Sequence, residues 1–297
     1  VESVLTVSKL ARAIGVSESS LKRWSDDGTL RVTRTAGGHR RIPLPEAVRF
    51  IRQIGAHVVR PDLLGLVDMD STPEGFSTRT DPDAALYEAL EQGHAAEVRG
   101  MIQSLFLSGW SLPQIFDGPL RSAMVRLGEL WLHAEWGIVV EHRATNILIQ
   151  ALGQMRSLLP AHNPSAPVAV GSAWDQDSYI LPSLMAGLVM AEVGYTDVNL
   201  GPMTPMWVLR NACSYYRARV AWLSISVAPH PERLPEDLEA LARDLGTCGT
   251  RLVIGGRATE SVRPAQVPGV IVARSMAELA SLGAGLLSQV PPHEQGV

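Results

Sequence analysis

From Pro167 onward, five short apolar runs alternate with stretches of helical spacing. The runs are 168–173, 197–201, 220–226, 251–256 and 270–273, and the helical stretches begin near Ile180, Met206, Leu234 and Met276. Strands that read as near-continuous apolar runs are covered on both faces, which calls for a parallel sheet with helices on either side. The expectation is a doubly wound α/β domain with a parallel sheet. Ligands of such sheets bind outside the carboxyl ends of the strands. That edge should carry Asp177 and Tyr179, the turn 201–205 with Met203, then Ser224 and Ser226, and finally Gly255 and Gly256.

The N-terminus obeys different rules. Residues 7–16 have apolar positions at helical spacing and stop at a Gly, and a second helix starts at the capping residue Ser17. Two short helices joined by a Gly-centred turn form a helix-turn-helix, whose second helix would present Ser19, Ser20, Lys22 and Arg23 to a major groove. Residues 30–34 and 40–43 then alternate at period two around Thr35-Ala36-Gly37-Gly38-His39, a hairpin carrying Arg34, His39, Arg40 and Arg41 over the adjacent phosphates. A third helix follows over 45–51, and the pattern breaks soon after Ile54.

Charge follows the same division. The first sixty residues hold eleven Lys and Arg against five Asp and Glu, a net of +6, which leaves −10 for the rest of a chain whose total is −4. A basic head on an acidic body suits one end meeting double-stranded operator DNA. There is no run apolar enough to span a bilayer and no signal-peptide pattern, so a cytoplasmic location with no membrane partner is expected. Cys213 and Cys248 lack metal-ligand spacing, and stand as secondary ligand or linkage candidates at most.

Between the two ends, residues 68–83 collect Asp, Ser, Thr, Pro and Gly without periodicity. Helical spacing returns over 84–90, 95–107, 112–130 and 139–159 with short connections, which implies an antiparallel four-helix bundle. The expected division is a head at 1–62, a linker at 63–83, the bundle at 84–162, the α/β domain at 163–292 and a tail at 293–297.

The head resembles the DNA-binding domain of the MerR family, a winged helix-turn-helix, in its wing Thr35-Ala36-Gly37-Gly38-His39-Arg40-Arg41. The remainder is similar to the cobalamin-dependent, light-responsive MerR regulators called CarH and LitR. Their helical block carries a Trp, nine residues, then Glu-His; Trp131, Glu141 and His142 match in identity and spacing, with His133 nearby. The α/β part resembles a flavodoxin-like cobalamin-binding domain. That resemblance implies an acidic-x-His-x-x-Gly motif for the axial ligand, and a Ser-x-Leu and a Gly-Gly lining a tunnel for the dimethylbenzimidazole tail.

Here the motif is altered. Asp177 supplies the acid, Tyr179 stands at the His and Pro182 at the Gly. A phenol is a hard oxygen, protonated at neutral pH because it titrates near ~10. The resemblance therefore implies a bound tetrapyrrole of altered identity, with haem or biliverdin ahead of adenosylcobalamin and a ligand-free regulator as a further alternative. It implies a seat between bundle and α/β domain, with His142 and Tyr179 as axial ligands of any metal. A homo-oligomeric transcriptional regulator is expected rather than an enzyme, since no accompanying barrel and no nucleophile–base constellation is legible.

Overall fold

Thr6 opens the first helix by accepting the Lys9 N–H on its hydroxyl at 3.2 Å, and Ser17 opens the second by accepting the Ser20 N–H at 3.1 Å. These are α1, Val7–Ala13, and α2, Glu18–Asp26, preceded by a strand β1, Val4–Thr6, that the sequence did not announce. Strands β2, Thr33–Arg34, and β3, Arg40–Pro43, form the hairpin. The three strands pair antiparallel in the order β1-β3-β2. Helix α3, Leu44–Ile54, ends where Gly55 takes the left-handed conformation at φ 63°. Leu10, Leu21, Leu30, Ile42, Phe50 and Ile51 are buried here, and Trp24 meets Phe50 edge to face at 5.3 Å between ring centroids.

The computed structural model describes residues 4–73, 76, 81–130, 135–160, 163–262 and 267–288. It divides into two compact units, Val1–Ala161 and His162–Val297. In the first, the head and the helical block are continuous. Residues 63–73, expected to belong to a linker, form parts of two short 3-10 turns, Pro61–Leu64 and Val67–Ser71. They lie against the next helices so closely that a Cβ at Gly100 would collide with the Asp68 carbonyl and Thr72 Oγ1. Arg99 reinforces the contact with two hydrogen bonds to the Asp68 carboxylate, at 2.8 and 3.0 Å. Polar composition suggested a loose segment; one missing side chain lets it dock.

The helical block comprises α4, Pro82–Gln92, α5, Ala95–Leu107, α6, Leu112–Ile115, α7, Arg121–Leu130, and α8, Gly137–Met155. The single helix expected over 112–130 is interrupted at 116–120 by a π turn, because Pro119 lacks an N–H and Gly118 leaves helical geometry. Arg52 of α3 reaches into this block. It donates to the carbonyls of Phe106 and of Trp110, the latter at 2.7 Å, and lies 3.8 Å over the Phe106 ring.

The second unit is a five-stranded parallel sheet of order β5-β4-β6-β7-β8. Its strands are β4, Val168–Ala173, β5, Thr196–Asn199, β6, Val220–Ser224, β7, Arg251–Gly255, and β8, Val270–Val272. Helices α9, Leu181–Val193, α10, Met206–Tyr216, α11, Leu234–Thr247, and α12, Met276–Ser288, connect and follow them. The expected strands and helix starts are all present, and Pro182 sits in the first turn of α9, where its missing N–H costs nothing. No helix among the described residues is long and apolar enough to cross a membrane.

Candidate functional site

At the carboxyl edge of the sheet the loops are gathered by one residue. Asp177 has 0% exposure. Its Oδ1 accepts the Tyr179 N–H at 2.9 Å and its Oδ2 accepts the Ser226 N–H at 2.6 Å. Its carbonyl accepts the Met203 N–H at 2.9 Å. One buried aspartate thus ties together the loops after β4, β5 and β6, and these charge-assisted bonds to backbone N–H groups compensate the burial of the carboxylate. Sequence reasoning placed Asp177 on the ligand; the structure makes it the anchor beneath the loops.

Each tied loop displays an apolar side chain. Tyr179 is 49% exposed and Met203 58%, and Val227 and Trp207 are exposed beside them in sequence on the same loops or the first turn of α10. Ser224 is buried, with its hydroxyl 3.5 Å from the Ser172 carbonyl, while Ser226 is half-buried. Sequence reasoning missed Trp207 and Val227, although both lie next to segments it singled out.

In the first unit, Glu141 and His142 lie on the second turn of α8. His142 Nδ1 is 2.9 Å from Glu141 Oε2, and Thr145 Oγ1 donates to Glu141 Oε1 at 3.1 Å. A carboxylate at Nδ1 keeps the proton there and leaves Nε2 as the acceptor. The His142 side chain is 73% exposed, beside exposed Ile138 and Val139. Trp131 and His133 lie outside the described residues. Among the described residues no group of three or more His, Cys, Asp or Glu is placed to hold a metal ion. Cys213 is buried, and burial pushes its thiol up to about 12, so the thiolate needed for ligation does not form near neutrality.

The head has its own concave surface. Lys22 of α2, Thr6 to Ser8 at the start of α1, and Arg34, Gly38, His39, Arg40 and Arg41 of the hairpin line a single cleft. Lys22, Arg23, Arg34 and His39 are exposed. Arg40 differs from the expected outward projection: it is ion-paired with Asp26 of α2 and its side chain is 16% exposed, so it braces the hairpin against the helix. Ser19 and Ser20 both bond the Ser17 hydroxyl, at 2.8 and 2.9 Å, and so take part in the helix start.

Residues 83–156, the helical block, match a family model described as a B12 binding domain. Among solved structures, the chain is similar to the monomethylamine corrinoid protein of Methanosarcina barkeri, with 14% identity, a TM-score of 0.53, and coverage of 68% of this chain and 96% of that one. The methanol:cobalamin methyltransferase complex of the same organism aligns at 14% identity and TM-score 0.39, covering 74% of this chain and 86% of that one. A cobalamin-binding protein from Desulfitobacterium hafniense aligns at 14% and 0.35, covering 70% and 99%. No curated protein matches. The chain thus carries a cobalamin-binding-type domain and fold.

The residues present do not fit a cobalamin held through a lower imidazole with its nucleotide tail threaded into the sheet. The donor beneath would be the Tyr179 phenol. The Gly-Gly turn is accounted for by the protein's own backbone: a Cβ at Gly256 would meet the Ile225 carbonyl oxygen at 2.5 Å, and one at Gly255 the Ala273 carbonyl oxygen at 2.9 Å. Those glycines serve contacts of the protein with itself.

Proposed function

We propose that this chain is a tetrapyrrole-responsive DNA-binding regulator rather than an enzyme, with a winged helix-turn-helix head and a sensory part derived from a cobalamin-binding domain. The observation that carries the DNA reading is the cleft in which Lys22 of α2 and Arg34, His39 and Arg41 of the hairpin face one concave surface. Cations on two elements that flank a groove are the footprint of a phosphate backbone. Because α3 stops at Ile54, pairing of heads on an operator would use a surface other than a helix continuing from it.

The ligand reading rests on the B12-domain match together with the Asp177-anchored apolar platform. A corrinoid is the first ligand class in this reading, in a mode that uses the flat macrocycle. The Tyr179 oxygen and the bare His142 Nε2 support haem as the second, since both are donors that iron accepts. In this proposal Tyr179, Met203 and Ser226 are the residues of the α/β unit that meet the macrocycle. Occupancy changes DNA affinity by the difference between the ligand's affinities for the two states.

The experiment is an absorbance titration of the full chain with hydroxocobalamin, haemin and biliverdin. The reading expects a saturable one-to-one spectral shift with at least one of them, weakened about tenfold or more by Tyr179→Ala or by His142→Ala, roughly 1.4 kcal/mol. Absence of a shift with all three would refute it.

A further inference from the structure

In the middle of the parallel sheet a buried indole packs against a strand glycine and a helix glycine. Trp222 of β6 is the register partner of Gly171 on β4, and a Cβ at Gly171 would fall on the Trp222 ring atoms Cδ2 and Cε2. Across from the sheet, Gly187 of α9 lets the helix approach, with its Cβ position 3.3 Å from Trp222 Cζ2. Trp222 Nε1 donates to Ser183 Oγ of α9 at 3.2 Å, and that hydroxyl donates to Asn199 Oδ1 at the end of β5 at 3.0 Å. Asn199 Oδ1 also accepts the Gly201 N–H at 2.9 Å. The ring is therefore bracketed by both neighbouring elements and held by a polar chain leading to the turn that carries Met203.

Side chains alternate along a strand, so Trp222 lies on the same face as Ser224, one step deeper from the carboxyl edge. Any aromatic group entering the interior between β4, β6 and α9 past Ser224 would meet an indole with 2% exposure. Two glycines and a hydroxyl are arranged around that indole, so the filling is built into three elements and does not follow from one bulky residue alone.

We propose that the α/β unit recognises its tetrapyrrole by the face of the macrocycle alone, and that Trp222 occupies the interior volume an appended nucleotide base would need. This rests on the tetrapyrrole reading above and specifies its ligand class: corrinoids bind with the tail outside the protein, so cobinamide, which has no nucleotide, is as good a ligand as cobalamin. Porphyrins and bilins, which carry no such tail, meet the same requirement.

Two measurements on the full chain test this. The first titrates cobalamin and cobinamide, both in the dicyano form; the proposal expects dissociation constants within about threefold of one another, and a preference for cobalamin above about tenfold would overturn it. The second asks whether 5,6-dimethylbenzimidazole raises the melting temperature. Wild type should show no saturable shift, whereas Trp222→Ala, with an apolar cavity opened in place of the ring, should show one. Trp222→Phe, which keeps most of the volume filled, is the control should the alanine variant fail to fold, and it too should show no shift. Stabilisation of wild type by the free base would overturn the proposal. If neither corrinoid binds, the corrinoid reading falls, and the free-base measurement still decides whether the interior is closed.

Discussion

The backbone N–H of Ser226 donates to Asp177 Oδ2 at 2.6 Å, joining two loops 49 residues apart in the chain. Because the other carboxylate oxygen accepts the Tyr179 N–H and the Asp177 carbonyl accepts the Met203 N–H, the shape of the exposed platform depends on this one residue. Asp177→Ala should leave the part-buried Tyr179 and Ser226 N–H groups without their carboxylate acceptor and cost about 1–3 kcal/mol, read as a lower urea midpoint. A loss below about 0.5 kcal/mol would mean that the loops hold themselves.

Arg52 fastens the head to the helical block through two carbonyls and the Phe106 ring. Arg52→Ala should destabilise the chain by about 1.5–3 kcal/mol, since two acceptors and a cation–π contact are lost together. Arg52→Lys should recover little of this, because one ammonium does not reproduce a fork aimed at two acceptors. Denaturant titrations that find the lysine variant equal to wild type would contradict this assignment.

In the head, Arg34→Ala and Lys22→Ala should each lower the slope of log affinity against log salt by about 1 on duplex DNA, if each meets one phosphate. Arg40→Ala should change that slope less, because Arg40 is engaged with Asp26. Anisotropy titrations over a range of salt separate the two classes; equal slope changes for all three would place Arg40 on the DNA as well.

The two cysteines should differ in reactivity. Cys213 is buried with its thiol pushed up to about 12, and Cys248 is exposed. An Ellman titration should count one thiol in the native chain and two in guanidinium. The sign of the pH effect follows: an unfolded thiol ionises near ~8.5, so the unfolded chain releases its proton first. The stability held by the protonated Cys213 is complete below that value and is lost as pH rises toward about 12. Two native thiols reacting at equal rates would contradict the burial.

The sheet was legible because its buried strands are written as continuous apolar runs, and the head because Thr6, Ser17 and the Gly-Gly turn are local signals. What was hidden depends on partners distant in sequence. Asp177 read as part of a ligand motif, since nothing near it shows that Ser226 supplies an N–H. Arg40 read as one of several wing cations, since Asp26 is fourteen residues away. Trp222 read as an ordinary strand residue; its meaning depends on a register that sets it opposite Gly171. The docking of residues 63–73 rests on the absence of a side chain at Gly100, a signal that appears only once the segment and the helix are brought together.

The central claim is that a tetrapyrrole controls DNA binding by this chain. Its most direct test is the anisotropy of a labelled DNA duplex titrated with the full chain, with and without saturating cobinamide, cobalamin, haemin or biliverdin. Coupling predicts that at least one of them changes the DNA dissociation constant by about fivefold or more, roughly 1 kcal/mol. A DNA affinity that is the same with all four as with none would contradict the account.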